Sequence, residues 1–274
     1  MVQQPRKTEV KGWIRKKCII SKRLDDKVAV ITGANSGIGK VVTTEMARRG
    51  CTVVMGCRSM ERAATTKNAI LTDYGDSNPN STKINVADDV VASSLSPIRP
   101  EQLILEQLDL ASLKSVREFA ERVASAYPKV DFLINNAGLI LAHYEQTDDG
   151  FEKTIGVNHL GHFLLTDLLL GNIKRAAPSR IIIVSSTFHY QGKLCRPDLQ
   201  MKKDEYNGQT AYKHSKLMNV MHGLELSDRL EGTGVTVLSV HPGHIRTEIF
   251  RDFSTINQML AGTWISSVFG SINQ

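Results

Sequence analysis

The sequence predicts an α/β fold in which helices cover both faces of one doubly wound parallel sheet. Six short apolar runs, bounded by Gly, Asn or Asp, have the length of buried strands, and they lie at 27–33, 51–56, 103–108, 130–135, 180–186 and 235–240. Stretches with helical spacing lie between them, so strands and helices alternate along the chain. Strands that are apolar on both faces need helices above and below, which favours parallel pairing with right-handed crossovers.

The composition is typical of one main globular domain. The chain has 274 residues, of which 41% are hydrophobic and 23% charged, so it can bury one large core. Most of the net charge of +6 comes from cations before residue 24, and we interpret residues 1–26 as a basic N-terminal extension. This extension could touch anionic lipid or nucleic acid, but a solvated, loosely ordered segment is the simpler interpretation. We therefore predict no nucleic-acid partner.

The cysteines and the apolar runs indicate the compartment. The four cysteines have no paired spacing, which indicates neither a zinc site nor a disulfide framework. No stretch approaches about 18 consecutive apolar residues, and the first 26 residues lack the apolar core of a secretory signal. These patterns predict an intracellular protein with reduced thiols, either cytoplasmic or peripherally attached to a membrane.

Residues 74–100 interrupt the route from the second helix to the third strand. Ser, Asn, Asp and Pro are frequent there, so we predict a mobile surface insertion.

The first predicted strand leads into a glycine-rich turn and then directly into a helix. Gly33 permits a tight turn, Gly37 allows the backbone to approach a pyrophosphate, and Gly39 allows the helix to pack closely on the strand. The N-terminus of the helix supplies free N–H groups and a partial positive charge. The turn therefore predicts a dinucleotide site, with contacts from Gly33, Asn35, Ser36, Gly37, Ile38 and Gly39.

The end of the second predicted strand indicates which dinucleotide binds. An NAD enzyme would offer Asp or Glu there to the ribose 2′-hydroxyl, whereas this chain has Cys57 followed by Arg58. A guanidinium can form a forked pair with a 2′-phosphate. We therefore predict that NADP is favoured over NAD, although Arg58 could also be a solvated surface charge.

Tyr212 and Lys216 lie within a predicted helix from about 209 to 230. A separation of four residues places them on one face, one turn apart. An adjacent ammonium stabilises a phenolate and brings the phenol closer to a working acid or base near neutral pH. Tyr and Lys four apart also occur by chance on solvated helices.

Taken together, these residues resemble the short-chain dehydrogenase/reductase family, a Rossmann-type fold. The family's marks occur here in order: the T-G-x-x-x-G-x-G turn from Thr32, the N-N-A-G run at 135–138, Ser186 at a strand end, and Y-x-x-x-K from Tyr212. Pro242-Gly243 and Thr247 match its P-G-x-x-x-T segment. The resemblance covers residues 27–250 and is strongest to the retinol dehydrogenase branch, which implies a catalytic domain at 27–247.

The resemblance implies catalytic roles for four side chains. Tyr212 would exchange a proton with the substrate oxygen, and Lys216 would bind the nicotinamide ribose and lower the Tyr212 pKa. Ser186 would hold the carbonyl, with Ser185 as the alternative because adjacent strand residues point to opposite faces. Asn158 would order a water in a proton relay. Further implied cofactor contacts are Asp109 and Leu110 near the adenine, Asn136, Ala137 and Gly138 along the adjoining ribose, and Thr247 at the carboxamide.

Two histidine pairs have spacings that could in principle suit a metal. His159 with His162, and His241 with His244, lack a carboxylate or cysteine to complete a ligand set. We interpret them as hydrogen-bonded core residues and predict no metal.

Two functions remain open from the sequence. The first is an NADP-dependent oxidoreductase for a small apolar carbonyl or alcohol, such as a retinal-like or other lipid-type aldehyde or ketone. Residues 248–274 would then form a short apolar substrate cap or rest against a membrane surface.

The second is a dinucleotide-binding protein or truncated isoform with impaired or no activity. The resemblance implies a further helix and a seventh strand beyond residue 274, so we expect the seventh strand to be missing. An uncovered sixth strand could then pair with another copy in a homo-oligomer.

Overall fold

The structure, a computed structural model, describes residues 21–82 and 94–243. The strands are β1 Val28–Thr32, β2 Thr52–Cys57, β3 Leu103–Gln107, β4 Phe132–Asn135, β5 Ser179–Val184 and β6 Val235–Val240. The main helices are α1 Gly37–Arg48, α2 Met60–Tyr74, α3 Leu113–Ala126, α4 Gly161–Arg175 and α5 Gly208–Arg229. Shorter helical turns are Pro100–Gln102, Lys153–Ile155, the π-helical Gly156–Leu160, Thr187–Gln191 and Lys203–Glu205.

The six strands form one parallel sheet in the order β3-β2-β1-β4-β5-β6. Each of the six predicted strands corresponds to one of them, and the predicted helix near 209–230 corresponds to α5. The predicted doubly wound parallel α/β fold is therefore confirmed. In the part of the chain that the structure describes, β6 lies at one end of the sheet, and Leu238 on it is 43% exposed.

Both faces of the sheet are covered because successive strand residues point to opposite sides. On one side, Ala29 and Ile31 of β1 belong to a core with Ala47 of α1 and Ile70 of α2. On the other, Val30 belongs to a core with the side chains of α3 and α4, including Val116, Phe119, Leu165 and Leu169. This two-sided burial explains why the strand sequences are apolar throughout rather than alternating.

Three helices begin at polar caps. Ser59 accepts a hydrogen bond from Arg62 N at the start of α2, and Ser112 accepts one of 3.4 Å from Ser115 N at the start of α3. Asn207 accepts one of 3.0 Å from the N–H of residue 210 at the start of α5. Such caps satisfy amides that would otherwise lack an intrahelical partner, so they fix where these helices begin.

The two described ends of the predicted insertion pair with each other, and one of them is packed into the core. Gly75 forms a parallel bridge with Ile98, and the Ile98 side chain is buried. Residues 83–93 lie outside the described residues, so the mobility of the insertion stays a prediction. The last part of the predicted basic extension is also attached, because Leu24 N donates a 2.7 Å hydrogen bond to Arg49 O.

Three sequence predictions concern residues that the structure does not describe. Residues 1–20, Thr247 and the predicted cap 248–274 lie outside the described residues. The missing seventh strand likewise stays a prediction. Among the helices within 21–82 and 94–243, none combines the length and apolar character needed to cross a membrane.

Candidate active site

The candidate site lies where the strand order of the sheet reverses. β1 and β4 are neighbours, but the chain leaves β1 towards β2 on one side and β4 towards β5 on the other. The connections after these two strands diverge and leave a crevice at the carboxyl ends, which is where open α/β sheets bind ligands. The glycine turn follows β1, and residues 136–138 follow β4. The structure therefore brings both motifs to this crevice.

The turn after β1 requires glycine at three positions. Gly33 and Gly37 have φ angles of +65° and +48°, a region that residues with a Cβ rarely adopt. A Cβ at Gly39 would collide with the carbonyl oxygen of Gly33 and would lie 2.7 Å from the side-chain nitrogen of Asn136. Glycine therefore allows α1 to start directly against the turn and against the segment that follows β4.

Helix α1 begins with amides that no side chain caps. Ser36 stands at its N-cap position without a side-chain hydrogen bond to the helix, and the first turn, which includes Gly37 and Ile38, contains no acidic residue. The carbonyl oxygen of Asn35 accepts a 3.0 Å hydrogen bond from the hydroxyl of Thr66, which ties the turn to α2. Uncapped amides at the positive end of a helix dipole suit an anionic group such as a pyrophosphate.

Arg58 is exposed and directly follows β2, the strand that pairs with β1. Its position at the same carboxyl edge as the glycine turn is the one predicted for a 2′-phosphate contact.

Asp109 and Leu110 follow β3, one strand further out. The Asp109 carboxylate accepts a 2.9 Å hydrogen bond from Ala111 N, while Leu110 is buried with its carbonyl oxygen against Gly161. These contacts fix the loop after β3; a contact of either residue with adenine stays a prediction.

The segment after β4 is held by Thr32. Asn136 N and Ala137 N each donate a 2.9 Å hydrogen bond to the Thr32 hydroxyl oxygen, and the Asn136 side chain donates to the Thr32 carbonyl. Two of the three amides predicted to line the ribose are thus engaged within the protein. A Cβ on Gly138 would lie 3.4 Å from Asn158 Oδ1 and 3.6 Å from Lys216 Nζ, so Gly138 marks the open side of this segment.

Tyr212 and Lys216 share one face of α5, as their spacing predicts. Their side chains are buried, with 9% and 3% of the residue surface exposed, and Lys216 Nζ lies 5.4 Å from the centre of the Tyr212 ring. Lys216 Nζ donates a 3.0 Å hydrogen bond to the carbonyl oxygen of Val184 at the end of β5. Within the described residues this is the ammonium's one hydrogen bond, so two of its three donors stay available to a ligand.

Burial determines the charge state of this pair. Burial raises the pKa of the Tyr212 phenol to about 12, against a smaller opposing effect from the Ser186 side chain. Burial lowers the pKa of the Lys216 ammonium to about 8. Both shifts disfavour charge, as expected for ionisable groups removed from water. The phenol is therefore protonated at neutral pH, and a positive charge brought beside it would lower its pKa.

The structure distinguishes the two serines after β5. The Ser186 side chain opposes the rise in the pKa of the Tyr212 phenol, and it accepts a 3.3 Å hydrogen bond from Phe188 N. The Ser185 hydroxyl instead donates a 2.8 Å hydrogen bond to the carbonyl oxygen of Lys216. Ser186 is thus the serine beside the phenol, whereas Ser185 fastens β5 to the backbone of α5.

Asn158 lies in the π-helical turn Gly156–Leu160, which the sequence analysis did not predict. Its amide pairs with the backbone of Leu139 in both directions, at 2.8 Å to N and 3.0 Å to O, and it donates a further 3.1 Å hydrogen bond to the hydroxyl of Ser215. Both amide protons are engaged, so Asn158 braces the segment after β4 against α5. Its role in ordering a water stays a prediction.

Three contributors to the site were not identified from the sequence. The Thr32 hydroxyl belongs to the recognised turn motif, but its hydrogen bonds run to residues about a hundred positions away. Ser215, inside Y-x-x-x-K, contacts Asn158, and His162 contacts Thr32. The Tyr206 hydroxyl, by contrast, fastens the loop before α5, since it lies 3.1 Å from Thr154 Oγ1 and 3.3 Å from the Leu141 carbonyl oxygen. Contacts of this kind join residues that are far apart in the sequence, so they produce no periodic pattern from which they could be predicted.

Among residues 21–82 and 94–243, no group of three or more His, Cys, Asp or Glu side chains is placed to hold a metal ion. His159 contacts Asn219 Oδ1 at 3.1 Å, and His162 is hydrogen-bonded through both ring nitrogens.

Several known proteins are similar to this chain. Retinol dehydrogenase 11 of Homo sapiens is 41% identical over 252 residues, which cover 92% of this chain and 70% of that protein. Retinol dehydrogenase 14 of Mus musculus is 43% identical over 228 residues, covering 82% of this chain and 63% of that protein. The chain thus spans between 63% and 70% of the length of these two relatives.

Solved structures share the fold. The crystal structure of an uncharacterised protein from Mycobacterium paratuberculosis superposes with a TM-score of 0.66 at 35% identity, over 84% of this chain and 73% of that one. Pseudomonas aeruginosa RhlG, in an active-site complex with NADP, also gives 0.66, at 21% identity over 92% of this chain and 86% of that one. At the lower identity the likeness shows the fold alone.

The family model described as short chain dehydrogenase matches residues 27–95 and 82–257. This match and the relatives above show that the chain belongs to the short-chain dehydrogenase family of dinucleotide-dependent oxidoreductases and that, within it, the chain is retinol dehydrogenase-like.

Proposed function

We propose that this protein is an NADP-dependent oxidoreductase that transfers a hydride between nicotinamide and the carbonyl or alcohol carbon of a small apolar substrate. The observation that carries the proposal is the buried pair Tyr212 and Lys216, placed beside Ser186 at the same edge of the sheet as the glycine turn. A structural helix seldom buries an ammonium that has no acidic partner, since the charge loses its hydration without compensation. Such a group is expected where it binds a ligand.

The residues present fit a dinucleotide. The uncapped amides of α1, from Gly37 onwards, suit its pyrophosphate, and Arg58 suits a 2′-phosphate. The two available donors of Lys216, next to Gly138, suit ribose hydroxyls. When bound, the cofactor supplies or accepts the hydride at nicotinamide C4.

In the reducing direction, Tyr212 is the acid. Its phenol is protonated because burial raises its pKa to about 12, so a proton is held ready for the carbonyl oxygen. The Lys216 ammonium stabilises the phenolate that forms, and the Ser186 hydroxyl donates a hydrogen bond that orients the substrate oxygen. In the oxidising direction the phenolate must accept the proton, so the rate should rise with pH.

The preference for NADP rests on Arg58. A carboxylate at the end of β2 would repel a 2′-phosphate, while the exposed guanidinium can pair with it. The chemistry of this position therefore favours NADP over NAD.

The apolar substrate rests on the aromatic side chains that follow Ser186. The Phe188 ring lies 6.2 Å from the Tyr212 ring, and Tyr190 is 82% exposed two residues further on. An apolar surface beside the reacting oxygen suits an apolar aldehyde, ketone or alcohol, in line with the likeness to retinol dehydrogenases.

The test is an absorbance assay of NADPH consumption by the purified chain. The panel contains a retinal-like conjugated aldehyde, a medium-chain alkanal and glyoxylate, a charged aldehyde of minimal apolar surface. We expect turnover with the first two and little with the third, and a lower KM for NADPH than for NADH. NADPH binding without turnover of any substrate would favour the alternative, a dinucleotide-binding protein without activity. Faster turnover of glyoxylate would contradict the apolar site.

A further inference from the structure

His162 lies between the glycine turn and the catalytic residues. It is the second residue of α4, is 3% exposed, and has both ring nitrogens within hydrogen-bond distance of a partner. Nε2 is 2.8 Å from the Thr32 hydroxyl oxygen, and Nδ1 is 3.2 Å from the carbonyl oxygen of Asn158. One imidazole thus connects the end of β1 to the π-helical turn that carries Asn158.

Counting donors and acceptors assigns the tautomer of His162. A hydroxyl has one proton and two lone pairs. The Thr32 oxygen already accepts the amides of Asn136 and Ala137, so both lone pairs are used. Its proton must then be donated, either to His162 Nε2 at 2.8 Å or to the Ile134 carbonyl at 3.5 Å. The shorter contact is the better hydrogen bond. His162 Nε2 is therefore an acceptor, and Nδ1 carries the proton and donates it to Asn158 O.

The surroundings of His162 support a neutral and fixed ring. Burial lowers the pKa of His162 to about 3, so the imidazole is uncharged under ordinary conditions. Its backbone is held as well, because Thr166 Oγ1 donates a 2.8 Å hydrogen bond to the His162 carbonyl and accepts one of 2.8 Å from the Asn135 side chain. The ring therefore has one protonation state and little freedom to move.

We propose that His162, as the neutral Nδ1–H tautomer, is a positioning residue for hydride transfer that sets the spacing between the dinucleotide turn and the Asn158–Lys216 side of the site. This inference rests on the proposed function. The glycine turn holds one part of the cofactor, while Asn158 and Lys216 border the space beside Gly138 where the nicotinamide ribose would lie. Hydride transfer depends steeply on such spacing, and small displacements reduce the rate. His162 touches neither substrate nor cofactor, and acts through Thr32 and Asn158.

Two substitutions of His162 each keep one of the two hydrogen bonds that the ring makes. His162→Asn places an amide near the position of Nδ1, so it can still donate to Asn158 O but does not reach Thr32. His162→Gln places an amide near the position of Nε2 and can still accept from the Thr32 hydroxyl. We expect His162→Asn to lower kcat about tenfold and His162→Gln to remain within about threefold of wild type. His222→Asn, which removes a partly buried imidazole from α5, is the matched control and should leave kcat unchanged.

A double-mutant cycle tests the partner. Thr32→Ser keeps the hydroxyl and should stay near wild type, whereas Thr32→Val removes it. If the two residues act through one hydrogen bond, adding His162→Asn to Thr32→Val should lower kcat by less than about twofold more. Additive losses would overturn the link. Equal kcat for the Asn and Gln variants would overturn it too. A role in packing alone would not depend on which of the two hydrogen bonds, to Asn158 O or to the Thr32 hydroxyl, a variant keeps.

Nitrogen NMR of the wild-type protein reads the tautomer without any assay. The proposal expects His162 Nδ1 to be protonated and Nε2 to have the shift of an unprotonated acceptor; the reverse would overturn it. This measurement also keeps the two hypotheses apart. If no substrate is turned over, the proposed function fails. The connection of Thr32 to Asn158 through His162 is still tested by the tautomer and by the NADPH affinities of the two variants. Weaker NADPH binding is then expected for His162→Asn and not for His162→Gln.

Discussion

The region after β1 and the region after β5 differ in the atoms they offer to a ligand. After β1, the site consists of backbone: glycines in a tight turn and the uncapped amides of α1, with Ser36 making no side-chain hydrogen bond to the helix. After β5, it consists of side chains, namely the half-buried Ser186 and the buried Tyr212 and Lys216. We therefore expect the first region to be sensitive to an added Cβ, as at Gly39, and the second to be sensitive to a change of functional group. On the proposed function, the comparison teaches that cofactor binding would be specified by the shape of the backbone, while proton transfer would be specified by functional groups.

The largest effect is expected in the second region. Tyr212→Phe removes the proton donor and little packing, so kcat should fall by about 10²- to 10⁴-fold while the Kd for NADPH stays within about threefold. Steady-state kinetics and a fluorescence titration measure the two quantities. Tyr206→Phe, on the preceding loop, is the matched control and should retain turnover. Substantial activity in Tyr212→Phe would show that proton transfer uses another group.

The next prediction concerns the cost of a buried charge. Burial lowers the pKa of Lys216 to about 8 in the folded chain, from an ordinary value of 10.5. Between these two pH values the unfolded chain binds more protons than the folded chain. The free energy of unfolding therefore rises as pH increases from about 8 to 10.5. Below pH 8 the charge therefore costs folding on the order of 3 kcal/mol. Lys216→Met should abolish turnover, weaken NADPH binding and yet raise the free energy of unfolding at pH 7.

Denaturant titrations of wild type and Lys216→Met, repeated at several pH values, check the sign. The variant's advantage should shrink towards pH 10.5. Comparing the two proteins at each pH cancels the titration of Cys51 and Cys57, whose pKa values are also raised by burial. The Val184 carbonyl keeps a partner in the variant, because Asn219 also donates to it at 3.4 Å. A variant less stable than wild type at pH 7 would contradict the predicted cost.

In the first region the sensitive change is one of shape. Gly39→Ala adds a Cβ that collides with Gly33 O, and relief of the collision must move the turn. We expect a loss of about 2 kcal/mol in NADPH binding, roughly 30-fold in Kd. Gly171→Ala, on the exposed side of α4, adds the same atom where only the end of the Arg175 side chain is near and should leave Kd unchanged. Equal affinities in the two variants would mean that the turn does not bind the cofactor.

The smallest effect is expected at the outer edge of the first region. Arg58→Asp should reduce the preference for NADPH over NADH by about tenfold, because a charge-assisted contact to the 2′-phosphate becomes a repulsion. Kd values for both cofactors give the ratio. Arg117→Asp makes the same charge change at another exposed position and should leave the ratio unaltered. A wild-type protein that binds both cofactors equally would rule out this role for Arg58.

The fold and the local motifs could be predicted from the sequence because their signals are local. The glycine turn has fixed spacing, Tyr212 and Lys216 are one helical turn apart, and six apolar runs mark the strands. The contacts of Thr32 and His162 could not be predicted from the sequence. Thr32 contacts the amide of Asn136 and the ring of His162, and only the folded sheet brings these groups together.

The position of Asn158 shows the same limit in a helix. The sequence around it resembles an ordinary helical stretch, yet the chain forms a π turn there, and the amide of Asn158 pairs with Leu139. Irregular helical turns occur mostly where side chains serve a site, and their cause lies in tertiary contacts rather than in residue propensity. The choice between Ser185 and Ser186 likewise needed the position of α5.

The way the segment between β5 and α5 is fastened has a consequence for protein engineering. Ser186 caps the helical turn at one end, Asn207 caps α5 at the other, and the Tyr206 hydroxyl contacts Thr154 and the Leu141 carbonyl. Between these attachment points, residues 187–205 make further contacts, because Cys195 Sγ lies 3.2 Å from His214 Nδ1 on α5 and Gln200 Oε1 accepts a 2.7 Å hydrogen bond from Glu152 N. An exchange of this segment as one cassette would need to keep these two contacts. On the proposed function, swapping this cassette between relatives is expected to alter the substrate range while Tyr212 and the glycine turn stay unchanged.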